Sequence, residues 1–174
     1  YLHAGVSYAY KPHRDTWYGG VDCQINTWMP VYTIQPDQTM MINPAYFDAP
    51  VKNTSAQWSL ADWIGVQRQR AQDNIKEEAR QHPVPTEAIN TASELRIAGN
   101  TAEMLVFSGS HLHGTVPNYT QQTRFSVDFR LMHLDDIRHK RGAINVDNAC
   151  PDVGAGFKDF FHVHDFSNFQ GIQQ

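Results

Sequence analysis

The sequence predicts a mainly β fold that carries one inserted helix. Short runs of β-branched and aromatic residues over 6–10, 23–33, 39–42, 94–97, 103–107 and 124–132 are divided by Gly, Pro and Asn punctuation. Two of these runs, 23–33 and 124–132, alternate in polarity with the period of two that a strand imposes. Between the third and fourth runs the composition changes to Gln, Arg, Glu and Ala over about 60–82, which reads as a helix.

The helix has a start and a stop. Ser59-Leu60-Ala61-Asp62 resembles a capping box, and Pro83 and Pro85 end the segment after about twenty residues. Ile64, Ala71, Ile75 and Ala79 give it only a thin apolar stripe, while Arg68, Arg70, Lys76, Glu77, Glu78 and Arg80 are charged. A surface helix follows, with a lid over a site as the functional alternative.

The two alternating strands say more. Arg124, Ser126, Asp128 and Arg130 share one face, and Phe125, Val127, Phe129 and Leu131 share the other. The polar face is expected to line a pocket, so the apolar reverse requires a cover. Gln24, Asn26 and Trp28 likewise alternate with Cys23, Ile25, Thr27 and Met29, which suggests a lined cavity or a strand wetted on one side.

One domain is expected, with a core over about 6–132, the helical insertion over about 60–82 and a tail over 139–174. Hydrophobic residues are 41% and charged residues 18% of the 174, enough apolar material for a core. No window approaches the ~18 to 20 apolar residues of a membrane span. The net charge of -4 and scattered basic residues exclude the electrostatic footprint of a nucleic-acid binder. Cys23 and Cys150 are too few for a disulfide framework and are expected as free thiols, and a cytoplasmic location follows by default. The chain opens at Tyr1 rather than methionine, which leaves a preceding segment open.

The chemistry is carried by His13 and Asp15 in Lys11-Pro12-His13-Arg14-Asp15-Thr16-Trp17, by His113 in Ser110-His111-Leu112-His113-Gly114, and by Arg124. A His-x-Asp on a strand puts both side chains on one face, so one segment can supply two metal ligands and a distant strand the third. Two neutral imidazoles and a carboxylate occupy one face of an octahedron and leave the other open. An arginine supplies a bidentate fork for a carboxylate that the metal does not hold. The spacing alone supports a generic metal site.

The chain resembles the iron(II)/2-oxoglutarate-dependent oxygenases, and within them the phytanoyl-CoA dioxygenase-like group to which ectoine hydroxylase belongs. The resemblance rests on His13-Arg14-Asp15 with Trp17 behind it, on Phe107-Ser108-Gly109-Ser110-His111-Leu112-His113-Gly114-Thr115-Val116-Pro117-Asn118, and on Arg124-Phe125-Ser126. It spans residues 8–130, apart from the helical insertion. It implies a double-stranded β-helix (a cupin-like jelly roll) whose apolar reverse is covered by helices ahead of the His-x-Asp strand. Only about a dozen residues precede that strand here, so the N-terminal helical cover is expected to be absent from these residues or supplied by another chain.

The resemblance further implies that His13, Asp15 and His113 hold Fe(II) and that 2-oxoglutarate chelates it. The far carboxylate of 2-oxoglutarate would pair with Arg124, helped by a hydroxyl of Thr115 or Ser126, and the family draws co-substrate and substrate contacts from the strand bearing Gln24 and Asn26. O2 would take the remaining position, and a substrate C–H bond would be hydroxylated with release of succinate and CO2. Asp15 occupies the position where halogenases of the superfamily carry a small residue, so hydroxylation or desaturation is expected over halogenation. Two other readings stay open, a cupin-type metalloenzyme independent of 2-oxoglutarate and a non-catalytic jelly-roll binding domain.

Other residues have weaker claims. His111 could join His113 as a cupin-like pair, and His162-Val163-His164-Asp165 has metal-like spacing, but a packed or surface tail is the expectation for it. Lys11, Arg14 and Arg130 are placed near the pocket mouth, which hints at an anionic or zwitterionic small-molecule substrate, with Trp17, Tyr18 and Trp28 as an apolar wall.

Overall fold

A computed structural model describes residues 9–64 and 81–170. Its strands are β1 (Ile25–Pro30), β2 (Met40–Ile42), β3 (Leu95–Arg96), β4 (Leu105–Ser108), β5 (His113–Thr115) and β6 (Ser126–Leu131). They form two antiparallel three-stranded sheets, ordered β4-β1-β6 and β3-β2-β5. In the first sheet Asn26 stands opposite Phe107 on one side and Arg130 on the other. In the second, Ile42 stands opposite His113.

The sheets meet through apolar side chains. Trp28 and Phe107 from the first sheet pack with Met40 and Ile42 from the second and with Ile34 between them, all buried. Each such side chain contributes about 1.5–3 kcal/mol through the water it sheds. A second cluster of Trp17, Val51 and Leu112 fixes the turn that follows the His-x-Asp segment against the residues that lead into β5 and His113.

The reverse of the first sheet is apolar and open. Ile25, Val106, Phe129 and Leu131 lie on one face, because directly paired residues share a face and Ile25 pairs Leu131 while Thr27 pairs both Val106 and Phe129. Val127, Phe129 and Leu131 are 46%, 42% and 42% exposed, so this face is open along β6, while Thr27 at its centre is buried.

Several sequence expectations shift here. The strand expected over 6–10 falls largely on residues that are not described, and Ala9 and Tyr10 are not in a strand, although the Tyr10 carbonyl accepts from Thr115 N at 2.9 Å. The inserted helix begins as expected: α1 (Leu60–Asp62) starts behind Ser59, whose side chain accepts a long bond from Asp62 N at 3.5 Å. The rest of the expected helix falls on residues 65–80, which lie outside the described residues. A second short helix, α2 (Leu134–Arg138), follows β6, with Asp135 and Asp136 in its first turn and Arg138 in its last, as the helix dipole favours. Cys23 and Cys150 are free thiols, the second buried and the first half-buried.

Candidate metal centre

His13, Asp15 and His113 come together as the sequence predicts, by a route that differs in one step. His13 is not within a strand but forms an isolated antiparallel bridge with His113, through His13 N to His113 O at 2.8 Å and His113 N to His13 O at 2.9 Å. Asp15 opens a 3-10 turn over Asp15–Tyr18 instead of continuing a strand. The two side chains still reach one side because the residue between them, Arg14, is extended (φ -112, ψ 141) and the chain turns only after it. Asp15 N then binds Gly109 O at 2.8 Å, and a Cβ at Gly109 would stand 3.1 Å from Gln24 Nε2 and 3.3 Å from Asp15 Cβ, so glycine there admits both side chains.

The ligand atoms of the triad lie within 4.8 Å of one another, with the burial of a prepared site. Asp15 Oδ1 is 3.7 Å from His13 Nε2 and 3.6 Å from His113 Nε2. Both imidazoles are oriented from behind: His13 Nδ1–H donates to Lys11 O at 2.7 Å and His113 Nδ1–H to His111 O at 2.8 Å. A carbonyl only accepts, so Nδ1 carries the proton in each ring and the Nε2 lone pair faces the centre.

Charge is tuned toward the ligating forms. Burial, helped by the charge of His13, pushes His113 down to about 4 against the pull of Asp15. Burial works to raise the Asp15 carboxyl, but His113, Arg130, His13 and the Asn26 amide outweigh it and hold it below its ordinary value. Near neutral pH the centre therefore presents a neutral His113 beside a carboxylate, a donor set suited to a divalent transition metal.

The triad opens into a cavity of about 640 Å³, which Gln24, Asn26, Thr115, Arg124, Ser126 and Arg130 also line. Arg124 is half-buried, and its only described bond is from Nη1 to Thr39 O at 3.1 Å. Burial presses its guanidinium below the ordinary value, with Asp128 acting against that. Thr115 and Ser126 share this cavity with Arg124, whereas Gln24 and Asn26 donate to Asp15. Arg130 also reaches the centre, with Nε 3.6 Å from Asp15 Oδ2 and Nη1 3.3 Å from Asp128 Oδ2.

Two expectations are corrected. Arg14 does not lie at the mouth. As the residue between two ligands it points the opposite way, is 1% exposed, and bonds Asp147 and the carbonyls of Ser110, Tyr46 and Ala49. Trp17 is wholly buried in the second core cluster with Nε1 donating to Asp147 Oδ1 at 2.7 Å, so it walls no cavity. His111, which had the weaker claim, stays apart from the centre: its ring stacks on Phe47 at 4.3 Å and 17°. Among the described residues the triad is the one cluster with metal-holding geometry, and His162 and His164 instead contact each other, Phe169 and Asp165.

Tyr18 and Trp28 line the cavity as expected, but the rest of the aromatic wall escaped the sequence reading. Trp58 and Trp63, which flank the start of α1, join Tyr18 and His82 along the cavity, with Tyr18–Trp58 centroids at 5.6 Å and Trp63–His82 at 4.8 Å, both edge-to-face. Phe157 and Phe160 come to the same cavity from the tail. Trp58 and His82 bracket the insertion, and in hindsight aromatic residues at both feet of an inserted segment were the available signal.

Comparisons with protein-family models and with curated proteins give no match for this chain. Among the described residues no helix is long and apolar enough to cross a membrane.

Proposed function

We propose that this chain is an Fe(II)- and 2-oxoglutarate-dependent oxygenase of the phytanoyl-CoA dioxygenase-like group. The reading includes a double-stranded β-helix as the scaffold and hydroxylation of an unactivated C–H bond of a small molecule, with succinate and CO2 as co-products. One observation carries it: a His/Asp/His centre and a half-buried arginine that stands within ion-pair distance of no carboxylate among the described residues share one cavity. A guanidinium withdrawn from water is costly unless it meets an anion.

The donor set fits iron. His13, Asp15 and His113 would hold it, and bound iron would supply the activation of O2 that is coupled to decarboxylation of the co-substrate. Arg124 binds the far carboxylate of 2-oxoglutarate, and Thr115 and Ser126 stand in the same cavity to donate a hydroxyl to it. The substrate lies against Tyr18, Trp58 and Trp63, which keep water from the reacting carbon. Of the three cations that hinted at an anionic substrate, Arg130 alone lines the cavity among the described residues, and Asp15 and Asp128 already face it.

The decisive experiment is titration of 2-oxoglutarate into anaerobic Fe(II)-loaded protein, monitored by the weak visible charge-transfer band of the chelate. The band is expected in the native protein, and Arg124→Ala is expected to weaken 2-oxoglutarate binding by 10-fold or more while metal binding persists. Absence of the band, with 2-oxoglutarate binding unchanged in Arg124→Ala, returns the protein to a cupin-type metalloenzyme that does not use 2-oxoglutarate. Absence of metal binding as well leaves a non-catalytic binding domain.

A further inference from the structure

The Asp15 carboxylate is held unequally at its two oxygens. Oδ1 faces both imidazoles, at 3.7 and 3.6 Å from their Nε2 atoms. Oδ2 receives Asn26 Nδ2 at 2.8 Å and Gln24 Nε2 at 3.0 Å, with Arg130 Nε at 3.6 Å. Gln24 Nε2 also donates to Asn26 Oδ1 at 2.9 Å, so the oxygen of one amide is occupied by the nitrogen of the other. That contact fixes the orientation of Asn26: its NH2 must face Asp15, since the carboxylate only accepts.

Both amides are built into the scaffold. Asn26 lies in the central strand β1 with Gln24 two residues before it, so the pair shares a face, and they are 5% and 7% exposed. A buried amide that lost these partners would be left unsatisfied, which makes the arrangement stiff. Each NH2 gives one of its two donors to the metal-binding carboxylate.

We propose that Gln24 and Asn26 are positioning residues for the metal centre, which hold Asp15 Oδ2 and present the carboxylate to a metal through Oδ1 alone. This rests on the triad's being a metal centre and deepens that reading. Carboxylates bind metals through one oxygen or both, and the second mode takes one more position on the ion. With one oxygen bound, the triad leaves three positions, the number that a chelating co-substrate and O2 together require. With both bound, two remain. Gln24 and Asn26 thus set how many external ligands the centre can take.

Mn(II) is a suitable probe, with affinity read from the resonance of the free ion and inner-sphere water from the relaxation of bulk water protons. The native protein is expected to bind one Mn(II) with three inner-sphere waters. Asn26→Ala and Gln24→Ala are each expected to bind it about 10- to 100-fold more weakly, the usual effect of losing a partner of a ligand, and with two waters. Thermal melting of the metal-free variants identifies those that fold, and Gln24→Ala carries the same expectation if Asn26→Ala does not. Affinity within about twofold of native, or three waters retained in a folded variant, overturns the proposal. Addition of 2-oxoglutarate tests the oxygenase reading separately: it should displace two of the three waters of the native protein, and failure to do so sinks that reading while leaving the roles of Gln24 and Asn26 intact.

Discussion

Arg14 and Asp147, far apart in sequence, form an ion pair from which water is excluded: Arg14 Nε stands 3.1 Å from Asp147 Oδ2, and the side chains are 1% and 5% exposed. Asp147 also accepts from Trp17 Nε1 at 2.7 Å and from Val51 N at 2.9 Å. One carboxylate from the tail thus ties together the ligand-bearing segment, the second core cluster and the chain after β2. Removing one partner of such a pair strands the other charge, a loss of about 3–5 kcal/mol. Asp147→Ala is expected to lower stability by that order in urea denaturation. Asp136→Ala, which breaks the exposed pair with Arg141, should cost no more than about 1 kcal/mol. Similar losses for the two variants would show that Asp147 is no hub.

The metal assignment makes a prediction that separates the histidines. His113→Ala and His13→Ala should abolish tight binding of Fe(II) or Co(II), because each removes one of three ligands. His162→Ala and His164→Ala should retain one metal per chain, and so should His111→Ala, whose ring lies on Phe47. Anaerobic calorimetric titration after chelation reads all five. A fall in stoichiometry in either tail variant would place a second ligand set in the tail.

Acid should destabilise the metal-free protein in a defined window. An unfolded chain takes a proton on His113 near 6.5, whereas burial, helped by the charge of His13, delays that proton to about 4 in the fold. The folded state therefore binds fewer protons between those values. The contribution is whole above pH 6.5, falls as pH drops toward 4 and levels off below. Asp15, also held below its ordinary 3.8, adds a loss of the same sign at still lower pH. Urea midpoints of the chelated protein should fall between pH 6.5 and 4, and His113→Asn should flatten that slope. An unchanged slope would mean that His113 is not the titrating group.

Much of this arrangement is written in period-two patterns, which are local. The parity of Arg124, Ser126, Asp128 and Arg130 put all four on the cavity, and that of Gln24, Asn26 and Trp28 did the same. Parity also carried the error about Arg14: a residue between two ligands on an extended segment must face away from them, into the body, yet its charge suggested the surface. What the sequence does not disclose is where a non-local partner comes from. Asp147 and Phe157 sit in a tail without strand periodicity, and Trp58 and His82 border the insertion, so only the closed fold brings them to Arg14 and to the cavity. The bonds of Gln24 and Asn26 to Asp15 are of the same kind, since they depend on the turn that begins at Asp15.

Gly114 sits where the segment carrying His13 crosses β5, and the approach leaves no space for a side chain. A Cβ there would stand 3.0 Å from Tyr10 O and 3.2 Å from Pro12 N, both backbone atoms, and 3.0 Å from the tip of Met41. The methionine can swing aside, but the 10–12 backbone cannot do so without loosening the His13–His113 bridge that it leads into. Gly114→Ala is therefore expected to act on the metal centre without altering a ligand. Overpacking of this kind costs about 1–3 kcal/mol, which urea denaturation would register. Because the displaced segment carries one ligand and β5 carries another, Co(II) affinity should fall by 10-fold or more in protein that is still folded. Thr115→Ala, one position along β5, leaves the crossing intact and should bind Co(II) as the native protein does. A Gly114→Ala variant with lowered stability but native Co(II) affinity would show that the crossing serves the fold alone.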